Sequence, residues 1–143
     1  MKTIMNAVAV AILSLCAWSA FAADQNFMII VNAANPTTTI DAKVVANIFL
    51  KKTAFWPHNK IILPVDQDVE SEVRRAFSEV ILDRSVPAMR NYWQQLIFSG
   101  RGVPPPELES DRAVVDYVSR HADAIGYVSP QANVRQNKIV TIK

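Results

Sequence analysis

The 143-residue chain has one cysteine, three glycines and two histidines. A lone cysteine cannot close an intrachain disulfide. Cys16 also lies inside an apolar leader, so the rest of the chain must be held by its core, without thiol chemistry. The three glycines, Gly100, Gly102 and Gly126, form no phosphate loop, dinucleotide fingerprint or Gly-x-Ser-x-Gly elbow. His58 and His121 stand far apart, and neither has a His or Cys at metal-ligand spacing. His58 reads as part of a Trp-Pro-His-Asn turn. His121 reads as a helix end, where a partly positive ring suits the dipole. No enzyme constellation emerges, and the expectation is a non-catalytic protein with neither metal nor cofactor.

Charge of one sign is also lacking. The formal net charge is +2, Lys2 included, and lysines and arginines are scattered rather than gathered in a stripe with aromatics. Nucleic acid and acidic membrane surfaces are thereby poor partners. Beyond the leader no segment approaches the roughly 20 apolar residues of a membrane span, so the mature form is not expected to cross one.

The leader itself is a strong signal. Lys2 opens it, Ile4 to Trp18 is almost wholly apolar, and Ala20-Phe21-Ala22 satisfies the small-x-small rule. A signal peptide over 1–22 is predicted, with the mature chain beginning at Ala23 or Asp24 and working in the periplasm. An uncleaved anchor is the competing reading, for which the run is short. A lipoprotein reading through Cys16 fails because Leu15 stands where a small residue belongs. The remaining residues, 23–143, suit one domain; at about 120 residues roughly two thirds of the surface can be buried.

Periodicity then sketches the elements. Phe27 to Val31 and Ile61 to Val65 are apolar runs that predict buried strands. A helix over about 41–51, with the Thr37-Thr38-Thr39 run as N-cap, turns Val44, Val45, Ile48 and Phe49 inward. A second, over about 70–82, turns Val73, Ala76, Phe77, Val80 and Ile81 inward, with Glu72, Arg74, Arg75 and Glu79 opposite. Ser85 caps a third, in which Met89, Tyr92, Trp93, Leu96 and Ile97 repeat the spacing and Gly100 and Gly102 stop it. Ser110 caps a fourth. Ala124 to Val128 and Lys138 to Ile142 are final strands, the last at the sheet edge. The fold class expected is α/β, a mainly parallel sheet flanked by helices.

Two local features carry candidate chemistry. Asp66 to Glu72 joins a strand end to a helix start, where ligands collect in open α/β sheets and where free N–H groups face an anion. Its carboxylates complement the helix dipole but repel a phosphate. As a cation site the stretch lacks the glycine and terminal acid of a calcium loop. Phe98-Ser99-Gly100-Arg101-Gly102 presents a guanidinium just past a helix end. Trp56, Tyr92 and Trp93 read as packing.

These motifs together resemble a family. Ile48-Phe49-Leu50-Lys51-Lys52 followed by Trp56, the strand Ile61 to Asp66, the Tyr92-Trp93 to Gly102 stretch with its proline run, and Ala124-Ile125-Gly126-Tyr127-Val128 are similar to phosphate-type periplasmic solute-binding proteins. These are the substrate-binding components of phosphate ABC transporters. The resemblance implies one lobe of a type II periplasmic-binding-protein-like fold, where the family has two lobes that close on phosphate. It also implies a small oxyanion such as phosphate as ligand. Ser71 matches the family's binding serine. Glu72 and Val73 replace the following glycine and threonine, no arginine stands in that stretch, and Lys51 replaces a glycine. Two functions follow. One is an anion-binding lobe using Ser71, Arg101, Ser99, Thr38 and Thr39. The other is a docking lobe for an envelope protein or for its own copy.

Overall fold

Two strands that are buried on both faces organise the chain. The computed structural model describes residues 25–143, and the signal peptide expected over 1–22 lies outside the described residues. In β1 (Met28–Val31) Ile29 and Val31 join one apolar cluster while Ile30 joins another. In β6 (Ala124–Val128) Ile125 and Tyr127 face the first cluster, and Ala124 and Val128 the second. Alternation between two buried faces is why both strands read as continuous apolar runs. The larger cluster lies under α1 (Ala42–Phe49), α2 (Glu72–Ile81) and α3 (Val86–Phe98). The smaller lies under α4 (Asp111–Arg120). Gly126 lets α4 approach, because a Cβ there would stand 2.6 Å from Val114 Cγ1.

The sheet has the order β2-β7-β1-β6-β3, with β2 at Thr39–Ile40, β3 at Leu63–Pro64 and β7 at Lys138–Ile142. β2 pairs parallel with β7, and β3 parallel with β6. β1 runs antiparallel to both β6 and β7, so four strands share one direction around one reversed strand. β7 is not the edge strand expected, because β2 pairs outside it. Thr39 therefore belongs to a strand and not to a helix cap. The N-cap of α1 is Asp41, whose carboxylate accepts the Lys43 N–H at 2.8 Å.

The strand expected over Ile61 to Val65 is shorter, since only Leu63 and Pro64 form β3. After Pro64 the chain continues through Val65 into β4 (Asp66–Gln67), which pairs parallel with β5 (Glu107–Leu108). Asp66 and Gln67 are buried strand residues and not part of the loop expected. In α2 the buried face comprises Val73, Arg74, Phe77, Ser78 and Ile81, whereas Val80 is 55% exposed. Arg74 is drawn inward by polar partners, and the helix turns Val80 out. Val44 and Ile97, also expected inward, are largely exposed. Trp93, Met89 and Trp56 are core residues. Among the described residues no helix is long and apolar enough to cross a membrane.

Candidate functional site

The amino ends of α2 and α4 meet the carboxyl ends of β4 and β6, and a polar network ties the four together. Ser71 is the N-cap of α2; its Oγ accepts the Arg74 N–H at 3.3 Å and donates to Gln67 Oε1 at 3.3 Å. Gln67 Nε2 donates to Asp111 Oδ1 at 2.8 Å and to the Tyr127 carbonyl at 2.9 Å. Asp111, in the first turn of α4, accepts the Ser129 N–H at 3.0 Å and the Ser129 hydroxyl at 2.5 Å. Beside this network lies a cavity of about 210 Å³ lined by Asn26, Glu72, Val73, Ser129, Pro130 and Gln131. The first N–H groups of a helix have no intrahelical partner. Ser71 serves the Arg74 and Arg75 amides, and Glu72 and Val73, the first two residues of the helix, line the cavity.

Behind the network is a buried charge cluster. Arg74 Nη1 lies 2.9 Å from Asp66 Oδ1, donates to the Gln67 carbonyl at 2.5 Å and stands 3.8 Å from Glu107. The Tyr127 hydroxyl donates to Asp66 Oδ1 and accepts the Gln67 N–H at 3.2 Å. Burial pushes the Asp66 carboxyl up from 3.8 to about 6, against the pull of Arg74 and the hydrogen bonds from Tyr127 and the Gln67 amide. Burial, with the Asp66 carboxylate next to it, also pushes the Tyr127 hydroxyl well above its ordinary value, so it stays a donor.

The residues singled out from sequence fall in three settings. Ser71 caps α2 within the network. Arg101 and Ser99 lie at the exposed end of α3, where Arg101 Nε donates to Ser99 Oγ at 3.2 Å. Thr38 and Thr39 are exposed at the opposite sheet edge. Thr39 lines a cavity of about 500 Å³ with Trp56, Phe55, Val44 and Lys143. Sequence reasoning missed Asp66, Gln67, Arg74, Asp111, Tyr127 and Ser129 as one cluster. Arg74, Ser78 and Ile81 recur at helical spacing, and that was the signal available for Arg74. His58 Nε2 lies 3.5 Å from Asp123, and His121 Nδ1 lies 2.7 Å from the Tyr117 carbonyl. Among the described residues no group of three or more His, Cys, Asp or Glu is placed to hold a metal ion.

No family model matches the chain, and no curated protein matches it in sequence. Solved structures do match in fold. An ABC-type phosphate transport receptor from Vibrio cholerae superposes with a TM-score of 0.65 at 17% identity, covering 82% of this chain and 46% of the receptor. PstS from Borrelia burgdorferi superposes with a TM-score of 0.58 at 13% identity, covering 82% of this chain and 47% of PstS. The chain spans about half the length of these proteins. The described residues thus share the fold of a periplasmic-binding-protein-like lobe, a central sheet flanked by helices.

Proposed function

We propose that this protein is a periplasmic, non-catalytic solute-binding lobe that receives a small oxyanion such as phosphate at the amino end of α2. The leader over 1–22 supports export, leaving 23–143 as one domain. The observation that carries the reading is the cavity lined by Glu72 and Val73, the first residues of α2, and by Ser129, in a fold shared with phosphate transport receptors. Amides at a helix start are natural anion donors. Arg74, which is paired with Asp66, does not line this cavity, and neither do Arg101, Ser99, Thr38 and Thr39. The exposed Glu72 carboxylate opposes an anion there. Calorimetric titration with phosphate is expected to give weak binding, on the order of millimolar, as a few hydrogen bonds of about 1 kcal/mol each would supply. Glu72→Gln is expected to tighten it severalfold, with Glu70→Gln adding to the effect. Heat-free titrations of both wild type and Glu72→Gln would refute the reading.

A second reading is a docking lobe for an envelope protein or its own copy. It is favoured by Phe98, 89% exposed at the end of α3, with Ile97 and Val103 exposed beside it. Under that reading phosphate leaves the protein unchanged, and Phe98→Ser reduces self-association measured by sedimentation or the binding of the purified partner.

A further inference from the structure

One buried cation has an unmet donor. Arg74 is 4% exposed, and its Nε has no hydrogen-bond partner. Asp66, the Gln67 carbonyl and Glu107 all approach Nη1 instead. A buried donor without a partner is destabilising, so natural proteins rarely retain one without a use for it. Arg74 lines a cavity of about 190 Å³ between the start of α2, α3 and β5. Arg90 and Gln94, one turn apart on α3, bring further donors to it, and Glu107 stands on the β5 side. The rest of the wall is mostly apolar, from Val86, Trp93, Ile97 and Pro104.

We propose that this cavity is a binding site for a small carboxylic acid with an apolar body. The carboxylate meets Arg74 and Arg90, and the body lies against Val86, Trp93 and Ile97. A guanidinium is a planar fork that matches two coplanar oxygens. A tetrahedral phosphate would turn polar corners toward an apolar wall, at a desolvation cost that a carboxylate on an apolar body avoids. A concave, largely apolar lining with a few convergent polar groups is the general form of a small-molecule site. None of its lining residues is shared with the cavity at the amino end of α2, so the two sites are independent.

Benzoate is the probe. Titration followed by NMR is expected to move the Arg74 side-chain Nε–H resonance saturably at millimolar concentration. Arg90→Ala, at an exposed position that the fold does not need, is expected to weaken benzoate binding about fivefold, the scale of a partly exposed charge contact. Inorganic phosphate is expected to move the Glu72 and Val73 amides and to leave the Arg74 signal in place. An Arg74 resonance that benzoate does not shift, or a benzoate affinity that Arg90→Ala leaves unchanged, would overturn the site. An equal response of Arg74 to phosphate and benzoate would overturn the carboxylate assignment. Amides that ignore phosphate would refute the oxyanion reading at α2 and leave this site standing.

Discussion

At the residue scale the most consequential group is Asp66. It is 5% exposed, faces Arg74 and Tyr127, and still titrates near 6, because burial outweighs its partners. An unfolded aspartate titrates near 3.8, so between about pH 4 and 6 the folded state binds more protons than the unfolded one. This group's contribution therefore favours folding at acid pH and is lost as pH rises through about 6. A shift of this size corresponds to a contribution of the order of 3 kcal/mol. Urea unfolding of wild type and Asp66→Asn at pH 7 and pH 5 measures it. The variant, which cannot ionise there, is expected to lose this rise in stability on acidification. Parallel pH profiles would show that Asp66 is ionised throughout and that Arg74 compensates it fully.

At the element scale, two helices end in the same way but with different residues. At the end of α3, Gly100 adopts φ 67; its N–H bonds the Ile97 carbonyl at 3.1 Å, and the Arg101 N–H bonds the Leu96 carbonyl at 2.9 Å. At the end of α1, Lys51 adopts φ 59, with its N–H on the Ile48 carbonyl at 3.0 Å and the Lys52 N–H on Asn47 at 2.8 Å. Left-handed backbone costs a residue with a Cβ about 1–2 kcal/mol that glycine avoids, offset in part by glycine's freer unfolded chain. Lys51→Gly is expected to stabilise the protein by roughly 0.5–1 kcal/mol, read as a higher denaturation midpoint. A lower midpoint would mean that the exposed lysine makes a favourable contribution larger than the backbone cost. Lys51 also illustrates what the sequence disclosed. Its departure from a glycine was visible, but its φ was not. The four helices and the buried strands were legible because apolar residues mark their period. The reversal of β1 was not, because a strand buried on both faces reads the same in either direction. Asp66, Gln67 and Arg74 were placed outside the core because pattern rules count apolar residues, and here burial is achieved by mutual hydrogen bonding. Ser71 was found because capping is local, whereas Asp111 and Tyr127 lie 40 and 56 positions further on and only the fold joins them.

At the scale of the whole molecule, the described residues match one lobe where the phosphate receptors have about twice the length. On the oxyanion reading proposed above, an anion at the amino end of α2 lies beside the exposed Glu72 side chain. Exposed electrostatic attractions are screened over about 10 Å at 0.1 M salt and about 3 Å at 1 M. Nearby charges include the exposed carboxylates Asp68, Glu70 and Glu72, which repel the ligand, and Arg75, 3.7 Å from Glu72. Screening weakens that repulsion along with the helix-end attraction. Two opposing effects then set the salt response, and the variants separate them. In wild type, phosphate affinity is expected to change little between low and moderate salt, because repulsion and attraction fade together. With Glu70 and Glu72 both replaced by glutamine only Asp68 still repels, so the attraction dominates, and affinity is expected to start higher and to fall as salt rises. Calorimetry at two ionic strengths on both proteins measures this. A steep loss in wild type would mean that a cation outside the cavity contributes, and Arg101→Ala would then identify or exclude the guanidinium past α3. Affinity that rises with protein concentration would mean that a second copy closes over the ligand and supplies the surface that one lobe lacks.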